Sequence, residues 1–163
     1  MTESKKDTGN NDCTCTCRGP MTVAEASEKI ESGVHCSQVV FGYAAEKLGI
    51  DLELALKLSA GLGGGCKHGE VCGTITGAIM ALGYAYGKTT GPEEQENTIL
   101  PEKIHELEDR FIASHGTLYC RDLLGFDKGK PEGPDNMPRD DMYEVCWSLC
   151  AEVCGILDEL LPE

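Results

Sequence analysis

Apolar residues recur at helical spacing along most of the chain. From 22 to 48 the positions Val23, Ala26, Ile30, Val34, Val40, Ala44 and Leu48 follow a period near 3.6. Thr22 followed by Glu25 reads as a capping box that opens a helix. Gly33 divides this stretch into two helices, with Cys36 in the first turn of the second, and Gly49 ends it. Asp51 starts a short helix carrying Leu52, Leu54, Leu56 and Leu58. Gly61 to Gly69 is a loop by composition. A helix of small residues then runs from Cys72 to Tyr86. Residues 93–114 read as helix with Pro101 as a break. A short helix spans 118–124, residues 125–138 form a Pro- and Gly-containing loop, and a last helix runs from about Arg139 to Leu161. No segment alternates with period 2. The expected fold is all-α: one bundle of five or six helices over residues 21–163, behind a flexible Cys-containing tail at 1–20.

Charge narrows the functional classes. The chain has 163 residues, with 28 acidic side chains against 14 basic ones and a net charge of −14. Nucleic-acid phosphates and anionic membranes both need clustered cations, so neither is an expected partner. No apolar run approaches the roughly 20 residues of a membrane span. The N-terminal stretch has no apolar core of a secretory signal, and the expected location is the cytoplasm.

The ten cysteines are the unusual feature. In a reducing compartment such thiols bind metal or do redox work more often than they form staples. Cys146, Cys150 and Cys154 stand at i, i+4 and i+8, along one face of the last helix. Core packing also accounts for them, since a free cysteine is a small, readily buried apolar residue. Cys66 and Cys72 border a Gly-rich turn, and Gly63, Gly64 and Gly65 stand just before Cys66. Glycines let a loop wrap a metal or cluster and aim backbone N–H groups at its sulfurs. Cys72 sits at a predicted helix N-terminus, where the positive end of the dipole lowers a thiol pKa, and Cys36 is placed similarly. Cys13, Cys15 and Cys17 form a C-x-C-x-C string in the tail, suited to soft metals or thiol exchange. There is no C-x-x-C, no haem motif and no phosphate-binding P-loop. The four histidines are scattered; His35 and His68 lie near cysteines and could ligate or donate protons, though a surface or structural role is the commoner one.

Gly63-Gly64-Gly65, followed by Glu70-Val71-Cys72-Gly73-Thr74-Ile75-Thr76-Gly77-Ala78, resembles the signature of the C_GCAxxG_C_C family of redox-active proteins. That family carries a C-G-A-x-x-G motif and four characteristic cysteines. Here Cys36, Cys72, Cys120 and Cys146 match those four, and Thr74 stands in place of the motif alanine. The resemblance covers roughly residues 25–160 and implies a helical redox domain with convergent cysteines. It is also similar to the iron–sulfur part of split-Soret cytochromes, whose haem motifs this chain lacks.

Four thiolates from four elements are the number that holds a [2Fe–2S] or [4Fe–4S] cluster. The first expectation is therefore an iron–sulfur protein that transfers or stores electrons. Its ligands would be Cys36, Cys72, Cys120 and Cys146, with Gly63, Gly64 and Gly65 contributing backbone hydrogen bonds. Cys66, Cys150 and Cys154 are candidate extra ligands, for a larger or second cluster. An acidic surface suits a basic redox partner protein. The alternatives are a thiol–disulfide enzyme or sensor using Cys72 with Cys36 or Cys120, and a zinc or soft-metal binding module. The small-residue face of helix 72–86 could pair two copies of the chain as a homodimer.

Overall fold

The computed structural model describes residues 19–89 and 99–162, so the tail string Cys13, Cys15 and Cys17 lies outside the described residues. Seven α-helices form a single all-α domain, and no strand occurs among the described residues. In chain order they are α1 (Val23–Glu31), α2 (Cys36–Leu48), α3 (Leu52–Ser59), α4 (Gly73–Tyr86), α5 (Ile99–His115), α6 (Cys120–Leu124) and α7 (Glu144–Leu160). The count is close to the expected five or six, and α6, a single five-residue turn, is the short helix expected at 118–124.

Local chemistry sets the helix ends. The Thr22 side chain accepts from the Glu25 N–H at 3.2 Å, and the Thr22 N–H donates to the Glu25 carboxylate at 2.8 Å. Two of the orphan donors at the start of α1 are thereby satisfied. The Asp51 carboxylate accepts from the Leu54 N–H at 2.8 Å and starts α3. Gly49 closes α2 in the left-handed conformation, φ 68°.

Two boundaries differ from the sequence reading. Pro101 does not break its helix. It is the third residue of α5, and a proline near a helix start removes an N–H that has no intrahelical acceptor. The last helix begins at Glu144 rather than Arg139, after a turn in which the Glu144 N–H donates to the Asp141 carbonyl at 3.0 Å.

Helices α2, α4 and α7 supply most of the core. Val39, Val40, Ile75, Ala78, Leu82, Leu149, Val153 and Leu157 are almost fully buried among one another, joined by Leu107 and Phe111 of α5. The closest pairing is α2 with α4. It is close because glycine stands where the helices meet. A Cβ on Gly77 would lie 2.7 Å from the Ser37 carbonyl oxygen. Ser37, fully buried, donates its hydroxyl to the Ser59 carbonyl at 2.8 Å and ties α2 to the end of α3. A second, smaller cluster of Cys120, Leu124, Phe126 and Met142 packs beside the main core, with Cys146 against it. Among the described residues no helix is long and apolar enough to cross a membrane.

Candidate functional site

The starts of four helices meet at one end of the bundle. Cys36 is the first residue of α2, Cys72 the cap residue of α4, Cys120 the first residue of α6 and Cys146 the third residue of α7. All four side chains line one cavity of about 240 Å³. Its remaining walls are largely aliphatic, from Ile30, Val34, Leu123, Leu124 and Leu149. Gly33, Gly64, His35, Lys128 and Tyr143 complete the lining.

Backbone hydrogen bonds hold two of the cysteines in place. The Cys72 N–H donates to the Leu118 carbonyl at 2.8 Å, and the Cys120 N–H donates to the Glu70 carbonyl at 2.7 Å. This short two-bond ladder clamps the segment before α4 against the segment before α6. Cys36 is placed by the α2–α4 contact, where Gly73 leaves room for its thiol: a Cβ there would lie 2.4 Å from the Cys36 Sγ. The C-G-x-x-x-G pattern of Cys72, Gly73 and Gly77 thus has a steric meaning. The cysteine starts α4 at the cavity, and the two glycines, one turn apart, let α2 lie close enough to deliver Cys36.

Gly64 and Gly65 begin an unusual turn. Gly64, Gly65, Cys66 and Lys67 are successive left-handed residues, with φ 67°, 60°, 54° and 64°. For the two non-glycine residues this costs roughly 1–2 kcal/mol each. The turn is closed by the Glu70 N–H, which donates to the Gly65 carbonyl at 3.1 Å, and by the His68 Nδ1–H, which donates to the Cys66 carbonyl at 2.9 Å. Of the three expected glycines only Gly64 lines the cavity. Gly63 lies against the His35 side chain, and Gly65 folds onto the backbone of Glu70.

The other cysteines are placed differently. Cys66 is exposed. Cys150 and Cys154 continue the Cys146 face of α7 away from the cavity and are fully buried in the core. The Cys150 thiol donates to the Cys36 carbonyl at 3.9 Å, so it backs the site without lining it.

Burial opposes ionisation here. It pushes the Cys72 thiol up to about 12 from an ordinary 9.0, helped by the negative charge Cys36 would carry, while a hydrogen bond with Thr74 at 3.2 Å works the other way. Cys120 is pushed up to about 11 by burial and by Cys36, with Lys128 opposing. Cys146 is raised further, by burial and by the other three cysteines. The low thiol pKa expected of Cys72 from its helix N-terminus is therefore overturned: desolvation and like-charge crowding outweigh the dipole. His35 is held below its usual pKa, first by burial and then by Lys67 and Lys128. Its Nε2 accepts from the Lys67 ammonium at 2.7 Å, which fixes the neutral ring.

Lys128 and Tyr143 have no counterpart in the sequence reading. Lys128 falls in the 125–138 loop, which reads as solvated, and Tyr143 in the turn before α7. Among the described residues no three His, Cys, Asp or Glu side chains close on a single point as ligands of one ion. The four thiols instead surround a space.

No curated protein and no solved structure matches this chain. A family profile does match, over residues 34–160, from just before Cys36 to the last residue of α7. That span holds all four cavity cysteines and the glycines that bring α2 onto α4. The chain thus belongs to the family described as Putative redox-active protein (C_GCAxxG_C_C).

Proposed function

We propose that this protein carries an iron–sulfur cluster on Cys36, Cys72, Cys120 and Cys146 and uses it to transfer or store electrons. The observation that carries the proposal is the meeting of four thiols, from four separate helix starts, around one cavity of about 240 Å³. An engineered cavity of about 150 Å³ accepts a benzene-sized molecule, so this space suits a group of several atoms. A structural zinc site differs. With Zn–S bonds of about 2.3 Å, its sulfurs close to within about 4 Å of one another.

The donor set also fits. Four thiols crowded in a desolvated site resist ionisation on their own, as the raised Cys72 and Cys120 pKa values express. A bound cation reverses that balance, because it compensates the thiolates that burial penalises. The same crowding disfavours the thiol–disulfide reading, which needs a thiolate at neutral pH. A cluster would supply a one-electron couple at this position. The protein's part is to hold the four sulfurs, to surround them with aliphatic side chains that exclude water, and to aim helix N-termini at the negative charge. Cys66, Cys150 and Cys154 stand outside this primary ligand set.

The test is the content of iron, acid-labile sulfide and zinc in protein purified without oxygen and without added metal. Iron and sulfide in whole-number ratio to the chain are expected. Zinc without sulfide would replace the cluster by a metal clamp, and none of the three after anaerobic reconstitution would leave thiol chemistry as the function.

A further inference from the structure

Two lysines flank the mouth of the cysteine cavity, and neither is paired with an acid among the described residues. The Lys67 ammonium donates to the neutral His35 ring at 2.7 Å. The Lys128 ammonium donates to the Tyr143 hydroxyl at 3.2 Å and lies 4.9 Å from the centre of that ring. The Lys128 chain runs over Gly64, whose Cβ position is 3.0 Å from the Lys128 Cδ. The neighbouring carboxylates are engaged elsewhere. Asp127 accepts from the Gly129 N–H at 2.9 Å and pairs with Lys130 at 3.4 Å, and Glu70 pairs with Arg121 at 2.7 Å. In a chain of net charge −14, two ammonium groups at one opening without a carboxylate partner among the described residues are a local excess of positive charge.

We infer that this opening is a binding site for a small anion. The inference rests on the collar of Lys67, His35, Lys128 and Tyr143, beside the cavity of the proposed redox site. The charge distribution selects a small ion over a protein. Screening limits the reach of exposed charges to about 8 Å at physiological salt. A small anion in the collar therefore meets the two lysines and little of the acidic surface beyond. An acidic protein would face that surface over its whole footprint, and a basic protein would meet the lysines at the point of contact. An arriving anion takes the Lys128 and Lys67 donors from Tyr143 and His35. It exchanges neutral partners for a charged one, and charge-assisted bonds are the stronger.

The test uses two paramagnetic probes of opposite charge on the purified isotope-labelled protein, whatever it carries. They are hexacyanochromate(III) and tris(ethylenediamine)chromium(III). The anionic probe is expected to broaden the amide signals of Lys67, His68, Lys128 and Gly129 selectively, and the cationic probe to broaden signals elsewhere. In the K67Q/K128Q double variant, with unchanged circular dichroism, the selective broadening is lost. In K67R/K128R it is kept. Broadening by the anion that is uniform over the surface, or that persists in K67Q/K128Q, overturns the inference. So does broadening of the collar by the cationic probe. Broadening is taken relative to the same sample without probe, with and without bound iron, so a failure of the cluster reading shows separately in the metal and sulfide assay.

Discussion

A Cβ placed on Gly73 would lie 2.4 Å from the Sγ of Cys36. The second residue of the C-G-x-x-x-G pattern is thus a spacer that holds one candidate ligand beside the helix start that carries another. The same Cβ position lies 3.1 Å from the Cα of Gly63, so three segments meet at this one point.

Gly73→Ala is expected to displace the Cys36 thiol and to cost about 1–3 kcal/mol through overpacking. Gly77→Ala, aimed at the Ser37 carbonyl, should act in the same direction by separating α2 from α4. Gly83→Ala is the control on the same helix: nothing lies within 4 Å of its Cβ position, so it should gain about 0.5–1 kcal/mol from helix propensity. Chemical denaturation checks all three. Iron content should fall in the first two variants only, and equal stability for Gly73→Ala and Gly83→Ala would contradict the spacer role.

The cysteines divide into those that line the cavity and those that do not. Serine at Cys36, Cys72, Cys120 or Cys146 is expected to lower bound iron and sulfide severalfold. Cys66→Ser, at an exposed thiol, should leave both unchanged. A loss of iron from Cys66→Ser as large as that from Cys120→Ser would remove the distinction that the cavity draws.

Thiol ionisation makes the cofactor-free protein sensitive to alkali. Cys72 and Cys120 keep their protons in the folded chain up to about 12 and about 11, whereas an unfolded thiol loses its proton near the ordinary 9.0. Above that pH the unfolded state binds fewer protons, so stability falls as pH rises. Thermal unfolding followed from pH 7 to 10 should show a flat melting temperature up to about pH 9.0 and a decline beyond it. Iodoacetamide at pH 7.5 should modify the exposed Cys66 well before the buried Cys72. Fast modification of Cys72 would revive the thiol–disulfide reading.

At the far end of α2, the buried Tyr43 donates its hydroxyl to Asp158 at 2.8 Å, and Lys47 pairs with the same carboxylate. Lys47 is eleven residues from Cys36, about 16 Å along the helix. Asp158→Ala is expected to cost roughly 1–2 kcal/mol by removing the carboxylate that Tyr43 and Lys47 share, with no change in bound iron. Equal iron loss here and in Gly73→Ala would mean that cofactor retention reports global stability alone.

Local signals were strong enough in the sequence to settle the all-α class and much of its punctuation. The Thr22–Glu25 box, the Asp51 cap, the turn at Gly33 and the stop at Gly49 depend on residues within four positions of one another, and such interactions are written in the order of the chain. The resemblance carried further. It picked out Cys36, Cys72, Cys120 and Cys146 among ten cysteines, and among the described residues these four are the cysteines that line the cavity. Periodicity alone could not separate Cys146 from Cys150 and Cys154, since all three share one helical face. What separates them is where α2 and α4 cross α7, which buries the later two in the core and leaves the first at the opening. Tertiary structure also decided the thiol chemistry. The helix N-terminus behind Cys72 is a local feature and favours a thiolate. The desolvation and the neighbouring sulfurs that outweigh it come from residues as far apart as Cys36 and Cys146. Lys128 and Tyr143 were silent in the sequence for the same reason: a lysine in a loop becomes part of a site only when the fold lays it across Gly64.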